Sequence, residues 1–169
     1  MKKKPEEKVL CEAVLSFLVR PKKVLLAKKM AKIGAGLWNG HGGGIENGQS
    51  PEEAAVAELK QEAGVMVLER NLEKVAELYM HNTTEDGTKF TCHVIVFFVR
   101  IWNGAPISTE EMSDPTWFDF DEIPINQMLP ADKHWLPLVL SGKKIKVDAS
   151  YGPHQKKLLS FARQVLPDD

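Results

Sequence analysis

Two glutamates four residues apart, Glu58 and Glu62, follow a glycine-rich stretch (Gly40, Gly42, Gly43, Gly44 and Gly48) and a serine able to cap a helix, Ser50. On a helix this spacing stacks both carboxylates on one face, one turn apart, with Gln61 three residues from Glu58. Like charges so placed repel by about a few tenths of a kcal/mol on an exposed helix. A hard cation that takes oxygen ligands turns that repulsion into attraction. Glycines ahead of the helix let the backbone come close to a ligand or offer it a carbonyl. The chemistry these residues point to is a divalent metal held against a diphosphate. An isolated Glu-x3-Glu pair reads as a solvated helix face; the glycines and the cap together set this one apart.

The element that must carry the acids is well punctuated. Ser50 with Glu53 three residues on makes a capping box, Pro51 occupies the first helical position, and Gly64 supplies the residue that ends the helix, so the expected span is 51–63. Ala54, Ala55, Val56 and Leu59 give it an apolar side for packing on a sheet.

With these residues in place the chain resembles the Nudix hydrolases. Their signature runs Gly, five residues, Glu, seven residues, Arg-Glu, an aliphatic, any residue, Glu-Glu, any residue, Gly and an aliphatic. Gly43, Glu58, Leu59, Glu62, Gly64 and Val65 match it, whereas Gln49, Ala57 and Gln61 stand where it has Glu, Arg and Glu. Further likeness, to the branch that hydrolyses oxidised purine nucleoside triphosphates of the 8-oxo-dGTP type, lies in Val24, Leu25 and Leu26, in 34–40, in Glu111 and Met112, in Trp117 and Phe118, in Ile123 and Pro124, in Met128, and in Asp132, Trp135, Pro137 and Leu138. It spans roughly 9–165, nearly the whole chain.

The resemblance implies an α+β fold, a Nudix-type α/β/α sandwich with a mixed, largely antiparallel sheet. It implies Mg2+, with Mn2+ as an alternative, held by the Gly42 carbonyl, Glu58, Glu62 and Glu111. Catalysis would fall to Glu58, Glu62 and Glu111, with Gln61 in the place of an acid it cannot replace as a base. Asn39, Lys29, Met112, Asp132 and Trp135 would bind substrate. The purine pocket departs from the pattern at Ala131, where an acid is lost, at Leu129, where a Trp wall is lost, and at Ile33, Met80 and Asn82, which fall on aromatic positions. The implied reaction is attack of water on a nucleoside triphosphate, giving a monophosphate and pyrophosphate. Two alternatives stand beside it: hydrolysis of another nucleoside diphosphate derivative, and a nucleotide-binding domain of weak activity.

Length and composition suit one domain, 1–169, with a short basic extension at 1–8: the chain has 169 residues, 43% of them hydrophobic, and no linker-like tract. Lys and Arg number 22 against 23 Asp and Glu, a net charge of −1, which gives no general attraction to a nucleic acid duplex or to a membrane. The expected partner is a small-molecule nucleotide, and the expected assembly a monomer or small homo-oligomer. Lys2, Lys3 and Lys4 ahead of the apolar 9–19 superficially look like a secretion signal, but Glu6, Glu7 and Glu12 interrupt it and no cleavage site follows. Cys11 and Cys92 lie in strand-like stretches without metal spacing and read as two buried free thiols, which points to a reducing, cytoplasmic compartment.

Strands are expected at 11–20 and 24–29, joined at Pro21, at 72–81 and 90–102, at 116–119 and at 144–149. A helix is expected over 132–140, opening on Asp132 as a cap, and 155–166 fits helix and strand equally. Among the histidines, His41 lies in the glycine loop, either exposed or touching substrate, and His93 lies mid-strand in a structural role.

Overall fold

The computed structural model describes residues 8–167. At its centre is β1 (Lys8–Arg20), whose alternate side chains are buried on both sides: Val14 and Leu18 on one face, Phe17 and Val19 on the other. A strand covered on both faces must lie inside a sheet with helices above and below. β2 (Lys23–Lys29) follows across the turn at Lys22, then β3 (Trp38–Asn39) and β4 (His41–Gly44). Helix α1 spans Pro51–Ala63, and β5 (Leu72–Thr83), β6 (Lys89–Val99) and β7 (Met112–Asp119) come next. Helix α2 (Asp132–Leu140), β8 (Ile145–Tyr151) and β9 (Leu158–Val165) complete the described chain.

The strand order is β3-β2-β1-β6-β5-β8-β9, with β4 added on β1 and β7 on β2. β1–β6 and β5–β8 are parallel and the other pairs antiparallel, so the sheet is mixed and largely antiparallel as expected. On one face α1 sets Ala54 and Ala55 against Val14, Ile95 and Phe97, and Leu59 and Ala63 against Leu18 and Val99. On the other, α2 buries Trp135, Leu136 and Val139 among Phe17, Leu26, Val96 and Phe98.

Three expectations change. The ambiguous C-terminal stretch is a strand, β9, antiparallel to β8; as an edge strand it needs no alternating pattern, and only Leu158 and Phe161 in it are half-buried. Cys11 and Cys92 are not free thiols: the parallel β1–β6 pairing makes them partners at a Cα separation of 4.9 Å, and they form a disulfide. The compartment inferred from free thiols therefore loses its basis. Asp132 begins α2 without capping it, because the cap position is Ala131 in helical geometry. The basic extension, apart from Lys8, lies outside the described residues. Among those described, no helix is long and apolar enough to cross a membrane.

Candidate functional site

Helix α1 starts as its sequence dictates. The Glu53 amide donates to Ser50 Oγ at 3.0 Å, and the Ser50 amide donates to Glu53 Oε1 at 3.4 Å. At its other end Gly64, at φ 71°, caps the last turn, a left-handed conformation costly to a residue with a Cβ. These ends fix the rotational phase of the helix. Glu62 is turned inward and only 6% exposed, Glu58 is half-buried, and Gln61 faces solvent.

Strand β4 runs beneath the two acids. The Gly42 amide donates to Glu62 Oε2 at 3.2 Å, and Gly43 lies directly against the Glu58 carboxylate. Before β7, Thr109 Oγ1 donates to the Glu62 backbone carbonyl at 2.9 Å, which ties the loop bearing Glu111 to the helix. Glu111 is brought close to Glu62 there and raises its proton affinity.

The electrostatics record a crowd of acids. Burial raises the Glu62 carboxyl well above the usual carboxylate range, Glu111 and Glu58 raise it further, and the Gly42 amide opposes them. Glu58 is raised by burial, then by Glu111 and Glu46. The Lys29 ammonium is lowered by burial, opposed by attraction to Glu62 and assisted by Lys32. Oxygen donors from Glu58, Glu62 and Glu111, packed closely enough that Glu111 raises the proton affinity of the other two, are a donor set that fits a hard divalent cation. A separate acidic group, Asp119, Asp121 and Glu122, lies at the far end of the β2–β7 ladder, where Lys23 pairs with Asp119; the active end pairs Lys29 with Met112, roughly 20 Å away at the rise of a strand.

The expected substrate residues are less open. Asn39 Oδ1 accepts from the Gly40 amide at 2.8 Å. Asp132 is 3% exposed; its Oδ1 accepts from Trp135 Nε1 at 3.1 Å, its Oδ2 has no partner among the described residues, and burial pushes its carboxyl up to about 7. Met112 and Trp135 are buried, Trp135 against Phe17 in the core beneath α2. Lys29 links the acids to open space: its side chain and that of Leu129 both pack at Gly34. Gly34 and Leu129 line a cleft of about 910 Å³. A second cleft of about 650 Å³ adjoins it along Ile33, His154 and Gln155.

Three residues, Glu46, Thr109 and Gln155, escaped the sequence reading, and the structural part played by Gln49 was not foreseen. Glu46 adds its charge at Glu58; its only sequence signal was its position between Gly43 and Gln49. Gln49, in the place of a signature acid, accepts from the Glu46 amide at 3.0 Å and so shapes that turn. Thr109 and Gln155 gave no signal. His41, expected in a loop, is on β4 and 1% exposed; neither ring nitrogen has a partner among the described residues, and burial lowers it to about 4. Ser16 lies opposite it on β1, its hydroxyl likewise without a partner among the described residues. His93 stacks on Tyr79 at 4.5 Å and bonds Glu12 at 2.7 Å, the structural role expected of it.

Comparison with known proteins identifies the family and the fold. The NUDIX domain family matches residues 10–139. The oxidized purine nucleoside triphosphate hydrolase of Mus musculus is 36% identical over 130 residues, 77% of this chain and 80% of that protein. Its counterpart in Danio rerio is 37% identical over the same shares of the two chains. Among solved structures, the mutator MutT protein from Bacillus halodurans superposes with a TM-score of 0.73 at 23% identity, over 91% of this chain and 97% of that one, a likeness of fold.

Proposed function

This chain belongs to the Nudix family of hydrolases, and from that premise we propose that it cleaves a purine nucleoside triphosphate, of the oxidised kind its relatives are named for, to the monophosphate and pyrophosphate. The observation that carries the reading is the meeting of Glu58, Glu62 and Glu111 at the Gly42–Gly43 strand, with Lys29 between that cluster and the larger cleft. Removal of damaged purines from the free nucleotide pool is the task this implies.

Glu58, Glu62 and Glu111, with the Gly42 backbone, are the groups to hold Mg2+ or Mn2+, which when bound supplies charge neutralisation at the phosphates and a more acidic water. Glu111 is the residue to take the water's proton, because Gln61 is an amide and the Thr109 contact holds the loop bearing Glu111 against the metal helix. Lys29 meets a phosphate with a charge-assisted hydrogen bond. At the nucleoside end Asp132 would offer the base a carboxyl oxygen that has no partner among the described residues, and Asn39 is the second polar group the family resemblance assigns to the base.

Hydrolysis of a panel of nucleoside triphosphates, diphosphate sugars and oxidised purines in magnesium tests the reading. The wild type should release pyrophosphate from triphosphates, and Glu58→Gln and Glu62→Gln should each lose most of that rate. Full rate in both variants overturns the role given to α1. A preference for another nucleoside diphosphate derivative would establish the second reading, which the buried Ala131, in the place of a base-binding acid, favours.

A further inference from the structure

The turn between β8 and β9 is built against backbone preference. His154 and Gln155, neither of them glycine, sit consecutively in the left-handed region at φ 59° and φ 54°. Such geometry persists only where the surroundings fix it, and it concentrates at ligand sites. Two side-chain contacts fix it here: His154 Nε2 meets Glu85 Oε1 at 2.7 Å, and Gln155 Nε2 donates to Asn82 Oδ1 at 2.6 Å. The turn is thereby clasped to the loop after β5, at the rim shared by the two clefts.

The clasp also decides which atoms Gln155 shows. Asn82 is 3% exposed, and its Nδ2 donates to the Met80 carbonyl at 3.0 Å. A carbonyl accepts and never donates, so the Asn82 amide is locked with its oxygen toward Gln155, which must answer with its nitrogen. The half-buried Gln155 amide is left with its oxygen, which has no partner among the described residues, and one further N–H. An acceptor beside a donor matches the N6-amino and N7 edge of adenine; guanine shows two acceptors, O6 and N7, on the same edge.

Lys29 connects the acids to the larger cleft: it interacts with Glu62 and packs at Gly34 beside Leu129, and Gly34, Leu129 and Gln155 all line the same cleft. A nucleotide with its phosphates at Lys29 and the acids extends its base toward that rim. We propose that Gln155, oriented by Asn82, is a specificity-determining residue that reads the 6-amino edge of the base, so that this site favours adenine-type over guanine-type triphosphates. The inference rests on the hydrolase reading above.

Calorimetry with the non-hydrolysable imido analogues of ATP and GTP in magnesium tests it without turnover. Wild type should bind the adenine analogue more tightly, and Gln155→Ala should lose about five- to tenfold for adenine while changing by less than about twofold for guanine, the size of one hydrogen bond. A second arm needs no variant: the purine riboside analogue, which lacks the 6-amino group, should bind wild type about five- to tenfold more weakly than the adenine analogue, and Gln155→Ala equally with it. Equal losses for both bases, an unchanged ratio in Gln155→Ala, or no wild-type penalty for the missing amino group overturns the role of Gln155. Analogue binding that follows the expected pattern, in a protein that hydrolyses none of the parent triphosphates, overturns the hydrolase reading and leaves this one standing.

Discussion

Glu58 leaves no room for a side chain at Gly43: a Cβ there would lie 2.6 Å from its carboxyl carbon. Strand β4 and helix α1 are in direct contact at this point, and the acid is aimed by the absence of an atom beneath it. Gly43→Ala must therefore push the carboxylate away from Glu62 and Glu111. Displacement by about 1 Å costs about 100-fold when geometry governs a rate. We expect kcat/KM for the preferred triphosphate to fall by about that factor and the magnesium needed for half-maximal rate to rise. Wild-type kinetics in the variant would show that the contact does not place Glu58.

Glu62 is stabilised in its protonated form by the fold. A carboxyl whose folded value is raised above its unfolded one contributes stability at low pH and loses it as pH rises through the folded value. Without metal, wild type should lose stability from about pH 4.5, where the unfolded carboxyl ionises, to about pH 8, where the folded one does, and at the upper end Glu62→Gln should be the more stable protein, by about 1 kcal/mol or more, because it never has to ionise in a nearly buried position. Magnesium reverses the order by binding the folded acids alone. Thermal melts in chelator and in magnesium, at both ends of this range, decide it: a Glu62→Gln protein less stable than wild type in chelator at high pH refutes the account.

His41 brings the opposite sign. Its folded value, about 4, lies below the unfolded 6.5, so the stability of keeping it neutral is present above the unfolded value and is lost as pH falls from there toward 4. Two ring nitrogens without partners among the described residues add a desolvation cost of about 1 to 3 kcal/mol. His41→Phe should raise stability at neutral pH and flatten the acid limb of a denaturation series. An unchanged acid limb would mean that another group controls it.

Much of this was legible in the chain because it is local. Ser50, Glu53, Pro51 and Gly64 specify α1 by capping chemistry that acts over one turn, and the four-residue spacing places Glu58 and Glu62 on one side of it. What was hidden depends on chain segments far apart in sequence. Thr109 finds the Glu62 carbonyl across 47 residues, Gln155 finds Asn82 across 73, and Cys11 finds Cys92 across 81. Parallel strand pairing gives no hairpin signature between its members, so β1–β6 and β5–β8 could not be read from the residues alone. Asp132 looked like a cap because caps and buried carboxyls use the same residue type; only its burial beside Trp135 distinguishes them.

The Cys11–Cys92 bond closes a long loop, 81 residues apart. A crosslink of that length removes enough unfolded-state freedom to contribute about 4 kcal/mol in the chain-entropy model. The double variant Cys11→Ser, Cys92→Ser should melt well below the oxidised protein, and a reductant should lower the wild-type melting temperature toward that of the variant. Titration of the native, non-reduced protein with a thiol reagent should find no free cysteine; two reactive thiols would contradict the bond directly.

Gln61 is the last signature change with a direct chemical consequence. It faces solvent three residues from Glu58 on the same helix, in the position of an acid that the Nudix pattern supplies. In the reaction proposed above, an amide there would leave the proton of the attacking water to Glu111, on a loop held to the helix through Thr109. Gln61→Glu adds a fourth carboxylate close to the cluster at little steric cost, since the two side chains are nearly the same shape. We expect tighter magnesium binding and a rise in kcat of about tenfold or more, the low end of what a positioned general base contributes. In the Glu111→Gln background the same substitution should restore part of the lost rate. If Gln61→Glu leaves kcat and the magnesium midpoint where they were, position 61 takes no part in this site, and the reduced set of acids is all the chemistry requires.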